Sequence, residues 1–111
     1  MIISTPTGST AYCLAAGGPI LTPDARNIAI VPIAPYLALI RALVVPDDAV
    51  IELIINRAVE ALITIDGQLD IAMKIGDIVR VRRSETIARF ARIQPRNYFT
   101  ATIVDRLRLR G

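Results

Sequence analysis

From Asn27 onward the chain breaks into short apolar, β-branched runs separated by turn residues, a pattern that predicts strands more than alternating strand-helix units. Residues 28–33 are continuously apolar and predict a strand covered on both faces. Residues 39–45 read similarly, with Arg41 breaking the run, and Pro46-Asp47-Asp48 predicts a turn. Residues 49–55 and 61–65 predict two more strands, joined by a polar loop over 56–60. Asp66-Gly67, flanked by alternating Ile63, Ile65, Leu69 and Ile71, predicts a tight hairpin, because a primed turn needs positive φ and this pair supplies it. Ile78, Arg80 and Arg82 alternate with Val79 and Val81, and over 87–93 Arg89 and Arg92 interleave with Phe90 and Ile93. Both runs predict half-exposed strands with most arginines in solvent. Tyr98, Phe99, Ile103 and Leu107 fall near helical spacing and predict a terminal helix over 97–109, whose end suits Arg106, Arg108 and Arg110.

The stretch from Ser4 to Pro19 is different in kind: it crowds five Ser/Thr hydroxyls, three glycines and one tyrosine into sixteen positions. Thr7 or Ser9 is expected to cap a short helix, Ala11, Leu14 and Ala15 to form its apolar stripe at i, i+3 and i+4, and Gly17-Gly18-Pro19 to end it. Such a helix start offers backbone N–H groups and the positive end of a dipole to a phosphate, a ribose hydroxyl or an adenine edge. The same residues are also ordinary capping and turn residues, and their chemistry alone does not choose between the readings. Neither a Walker loop nor Gly-x-Gly-x-x-Gly occurs. The expected fold is mainly β, a β-sandwich-like domain of short strands with one short N-terminal helix and a C-terminal helix.

At 111 residues the chain is expected to be one domain, smaller than an enzyme that holds two substrates between two lobes. A hydrophobic content of 53% and a mean hydropathy of +0.50 favour an apolar surface that meets a partner over a merely generous core. The net charge of +3 conceals an asymmetry: residues 1–79 carry four positive and eight negative charges, whereas residues 80–111 carry nine arginines against Glu85 and Asp105. A basic end of this kind attracts nucleic acid, phosphates or an acidic surface, or is simply a solvated strand face. Cys13 is the single cysteine and histidine is missing, which excludes an internal disulfide and histidine-based catalysis. The membrane-like run from Ile28 to Val45 is interrupted by Pro32, Pro35 and Arg41, and no secretory pattern opens the chain, so a cytoplasmic location with no membrane contact is expected.

The string Thr5-Pro6-Thr7-Gly8-Ser9-Thr10-Ala11-Tyr12, followed by Gly17-Gly18-Pro19, closely resembles the signature of the NAD kinase family, ATP- or polyphosphate-dependent enzymes that phosphorylate NAD to NADP. Pro32-Ile33-Ala34-Pro35, Leu43-Val44-Val45-Pro46, Thr64-Ile65-Asp66-Gly67-Gln68 and Gly76-Asp77 keep the resemblance in register along nearly the whole chain. The Gly-Gly-Asp-Gly loop and the Asn-Glu pair of the family's N-terminal α/β catalytic domain do not occur, nor does the Gly-Asp-Gly that usually precedes the string. The resemblance therefore implies that residues 1–111 are a single C-terminal β domain that binds NAD, inactive alone because the catalytic domain is absent.

Carried over position by position, the resemblance places Thr7 near the adenine and Thr10, Ala11, Tyr12, Cys13, Leu14 and Ala15 along the dinucleotide pocket. Chemically, Thr10 can bond a ring nitrogen or ribose, Ala11 admits close approach to the backbone, and Tyr12 can stack. Ala15 replaces a serine often found there. Ala34 matches a position that contacts ligand through its backbone, Gln68 matches a contact whose amide could read a carboxamide or ribose hydroxyl, and Asp66 could assist from the same turn, although the hairpin alone would explain it. The resemblance further implies a homo-oligomer whose pocket draws on two subunits, with Mg2+ or another divalent cation and ATP or polyphosphate serving the full-length enzyme. Two other classes compete. One is a structural or oligomerisation β module without ligand. The other is nucleic acid binding by the arginine-rich end, disfavoured because aromatic platforms are scarce: outside the opening stretch only Tyr36, Phe90, Tyr98 and Phe99 are aromatic.

Overall fold

A computed structural model describes residues 1–33, 41–57, 60–91 and 97–110. In chain order these form β1 (Ile2–Ser4), a 3-10 turn (Thr7–Thr10), α1 (Tyr12–Ala15), β2 (Asn27–Val31), β3 (Leu43–Pro46), β4 (Ile51–Ile54), β5 (Ala61–Ile65), β6 (Leu69–Met73), β7 (Ile78–Val81) and α2 (Tyr98–Arg110). The architecture is mainly β, built from short antiparallel strands with a short helical segment near the start and a helix at the end, as the hydrophobic pattern predicts. The chain divides into two compact units, one comprising Met1–Asp47 with Glu85–Gly111 and the other Asp48–Ser84.

In the first unit, β2 lies between β1 and β3 in an antiparallel sheet, with Ser4 opposite Ala29 and Ile28 opposite Val45. Its unbroken apolar run fits that central place: Ile28, Ala29 and Val31 are all buried. The core of this unit gathers Cys13, Leu21, Ala29 and Val31, with Ile2, Ala16 and Ala25 packed against it. Strand β1 has no counterpart in the sequence expectations, because three residues at the leading edge of the polar string show no alternation to read. Strand β3 starts at Leu43 rather than at residue 39; Arg41 and Ala42 precede it, and positions 39 and 40 lie outside the described residues. Pro46 ends β3 on the sheet edge, where its missing N–H leaves no ladder bond unmade, and Asp47-Asp48 then turns as expected.

In the second unit, β4 pairs with β7 and β5 with β6, each pair antiparallel. The Asp66-Gly67 turn takes the left-handed conformation that this pair favours, with φ of 52° and 65°, and the Gln68 N–H closes it on the Ile65 carbonyl at 3.0 Å. Ile63 faces Ile71 and Ile65 faces Leu69 across the ladder, which puts all four on one face. Val79 and Val81 are half-buried and Arg80 exposed, the alternation that the sequence predicts. Arg80 bonds Glu52, its cross-strand partner, at 3.0 Å, but both side chains are well exposed, so the pair contributes at most about 1 kcal/mol.

One strand expectation fails. Residues 87–91 form no strand, and 92 and 93 lie outside the described residues. Alternation describes what a strand would bury, but a strand exists only with a ladder partner, and here Ile87 and Phe90 are both strongly exposed. The terminal helix, by contrast, matches its expectation within a residue, with Arg106 lying 5.1 Å over the Tyr98 ring. Among the described residues no helix is long and apolar enough to cross a membrane.

Candidate functional site

The hydroxyl-rich stretch leaves β1 at Ser4 and enters the 3-10 turn through Pro6, whose fixed φ suits the first position of a helical turn. Neither expected cap forms. Thr7 and Ser9 both lie inside the 3-10 turn, no side chain caps it or α1, and Ala11, with φ −95° and ψ −127°, separates the two segments. The turn is instead held by local bonds: the Ser9 N–H donates to the Pro6 carbonyl at 3.2 Å, the Ala11 N–H to the Gly8 carbonyl at 3.1 Å, and the Gly8 N–H to Thr5 Oγ1 at 3.4 Å. With only four residues, α1 has too few aligned peptide units for the strong dipole that a longer helix start would offer an anion.

The expected apolar stripe is also corrected. Ala11 and Ala15 are exposed and Leu14 is half-buried, while Cys13 turns inward to 1% exposure. A one-turn helix has a single inward position, and the close approach of Gly18 selects residue 13 for it: a Cβ on Gly18 would stand 2.6 Å from Cys13 Sγ. The glycine stop behaves as expected and in detail. Gly17 takes φ +86°, its N–H donates to the Leu14 carbonyl, and the Gly18 N–H donates to the Cys13 carbonyl at 2.8 Å, which is the Schellman arrangement.

These contacts sort the sequence-derived residues. Tyr12, 62% exposed, is not a core aromatic; its ring stands in solvent, on the same segment as exposed Thr7 and Ala11 and half-buried Thr10. Cys13 can meet a ligand only through its backbone, since its side chain belongs to the core. Thr7, Thr10, Ala11, Tyr12, Leu14 and Ala15 therefore share one short segment of the first unit. Asp66 and Gln68 sit together at the exposed β5–β6 turn of the second unit, and Ala34 lies outside the described residues. Next to the glycine stop, an open cleft of about 520 Å3 is lined by Gly17, Gly18, Pro19, Val31, Pro32 and Arg41 among others, and none of the sequence-derived contacts among the described residues lines it. The sequence pattern gives Ser9 a capping role, not the one it has as the buried anchor of the turn, because no local pattern signals its 0% exposure. Among the described residues no group of three or more Asp, Glu or Cys side chains lies close enough together to hold a metal ion.

Residues 1–93 match the family model described as the ATP-NAD kinase C-terminal domain. The chain is 41% identical over 107 residues to an NAD kinase of Dehalococcoides mccartyi strain CBDB1, covering 96% of this chain and 38% of that protein. It is 44% identical over 108 residues to an NAD kinase of Chloroflexus aurantiacus, covering 97% and 39% respectively. An NAD kinase of Thermomicrobium roseum is 44% identical over 101 residues, 91% of this chain and 35% of that protein. The chain thus spans less than two fifths of the length of these relatives.

Proposed function

Because this chain belongs to the family of the ATP-NAD kinase C-terminal domain, we propose that it is the part of an NAD kinase that grips the dinucleotide. The observation that carries this reading is the exposure pattern of the hydroxyl-rich stretch: Tyr12 and Thr7 face solvent on a segment whose Ser9 and Cys13 are buried. That is a contact surface with a rigid backing. Tyr12 stacks on a ring of NAD, the Thr10 hydroxyl bonds a ring nitrogen or ribose oxygen, and Ala11 leaves room for the ligand at the backbone. The family resemblance also suggests Ala34, and separately Asp66 and Gln68 on the hairpin turn of the second unit, as NAD contacts.

The reaction of the whole enzyme is transfer of a terminal phosphoryl group from ATP or polyphosphate to the 2′-hydroxyl of the adenosine ribose. The ribose oxygen forms the new P–O bond, the bond to the donor's leaving phosphate breaks, and the hydroxyl proton passes to a base. Such a transfer rests on positioning and on neutralising charge. This chain contributes the first by orienting the acceptor, and the base, the divalent cation and the donor are held by residues outside this sequence. Titration calorimetry with NAD tests the grip: saturable binding is expected, and silence at millimolar NAD would favour a module that only assembles. With NAD, ATP and Mg2+ supplied, the 111-residue chain is expected to form no measurable NADP, and robust NADP formation would contradict that division of labour.

A specific observation also supports assembly. Leu62, Ile65, Leu69, Ile71, Ile75 and Ile78 of the second unit are each at least 42% exposed, and Ile65, Leu69 and Ile71 share one ladder face, the kind of exposed apolar grouping that meets a partner. The chain is therefore expected to sediment as a homo-oligomer at tens of micromolar in analytical ultracentrifugation; a clean monomer would count against it.

A further inference from the structure

Ser9 makes no contact in the reading above, yet it is the most thoroughly buried polar side chain among the described residues, at 0% exposure. Its Oγ accepts the Leu21 N–H at 3.0 Å and donates to the Pro6 carbonyl at 2.7 Å; the Leu21 carbonyl stands farther off, at 3.4 Å. One hydroxyl has one proton, so the shorter contact takes it while a lone pair receives the Leu21 N–H. Leu21 belongs to the core with Cys13, Ala29 and Val31. Among the described residues, every other hydrogen bond of residues 6–18 ends within residues 5–18. There the Ser9 hydroxyl is the one polar tie from the turn to the body of its unit. It acts on a four-residue 3-10 segment whose own bonds are of poor geometry and whose ends carry no side-chain cap.

We propose that Ser9 is a positioning residue for dinucleotide binding, pinning the Thr7–Thr10 turn to Leu21 so that Thr10, Ala11 and Tyr12 are held ready for the ligand. The inference rests on the reading that this segment grips NAD. Preorganisation is what Ser9 contributes: without its hydroxyl the segment samples several conformations, and binding must then select one. A purely structural serine would lower stability and leave the affinity of the folded protein unchanged.

The experiment compares wild type with Ser9→Ala and Ser9→Thr by NAD calorimetry at a temperature where circular dichroism shows each folded, alongside amide hydrogen exchange. Ser9→Ala is expected to weaken NAD binding roughly tenfold and to speed exchange at the Leu21, Ser9 and Ala11 amides while those of β2 stay protected. Ser9→Thr, which keeps the hydroxyl, is expected to bind within about threefold of wild type. If Ser9→Ala does not fold, Ser9→Cys carries the same comparison, because its thiol is a far weaker donor and acceptor. A folded variant without the hydroxyl that binds NAD as wild type does overturns the positioning role. Absence of NAD binding in wild type, with the exchange effect still confined to the turn, instead overturns the gripping function beneath it.

Discussion

Replacing Gly18 by alanine is expected to destabilise the first unit by about 3 kcal/mol, near the upper end of what an added methylene costs a packed core. A Cβ there would lie 2.6 Å from Cys13 Sγ, 2.7 Å from the Cys13 carbonyl oxygen and 2.8 Å from Val31 Cγ2. None of these can step aside cheaply. Cys13 and Val31 are 1% and 2% exposed, and the carbonyl is fixed by the bond it accepts from Gly18 itself. Space, not backbone strain, decides the outcome, because Gly18 is not among the positive-φ glycines. Gly17 reverses the balance: it has φ +86° and nothing within 4 Å of where a methyl group would stand, so alanine there costs only the left-handed penalty of about 1–2 kcal/mol. Thermal unfolding should separate the two, with Gly18→Ala lowering Tm by roughly 10 °C or more. The buried Cys13 thiol gives a second readout, since its labelling should be slow in the native chain and much faster in Gly18→Ala. A Tm unchanged by Gly18→Ala would mean that α1 does not pack against β2 as described.

Tyr12→Ala is expected to do the opposite: remove most NAD affinity and leave stability nearly untouched. The ring is 62% exposed, so its removal opens no cavity and should shift unfolding by no more than about 0.5 kcal/mol. Stacking of an aromatic side chain on a base contributes about 1–3 kcal/mol, which corresponds to a loss of roughly tenfold or more in calorimetric affinity. Tyr12→Phe keeps the ring and removes the hydroxyl, and its loss should be the smaller of the two if stacking dominates. Equal losses in the two variants would assign the contact to the hydroxyl instead. Together, Gly18 and Tyr12 separate what holds the segment in place from what the segment presents.

The parts of this molecule that are legible in its sequence are those whose cause is local. The β5–β6 hairpin can be read because Asp66-Gly67 is among the few pairs that accept two successive positive φ values, and the register around it follows from Ile63, Ile65, Leu69 and Ile71. The end of α1 can be read because Gly17 accepts a left-handed backbone. What escapes depends on partners distant in sequence. Strand β1 exists because β2 offers it a ladder, and residues 87–91 fail as a strand for want of one. The inward residue of α1 is Cys13 rather than Ala11, Leu14 and Ala15 because Gly18 folds back onto it, a contact that helical periodicity does not encode. Ser9 reads as a cap because serine caps helices often, yet its hydroxyl reaches Leu21, twelve residues away. At the candidate site, the family resemblance names the residues, while their exposure and backing emerge only in three dimensions.

The central claim, that the Thr7–Ala15 segment is a dinucleotide grip, is met most directly by titrating NAD into the 15N-labelled chain and following amide resonances. Saturable shifts are predicted to concentrate at Thr7, Thr10, Ala11, Tyr12, Leu14 and Ala15, with the amides of α2 silent. Shifts that are absent at millimolar NAD, or that fall on the arginine-rich end and leave this segment unmoved, would contradict it.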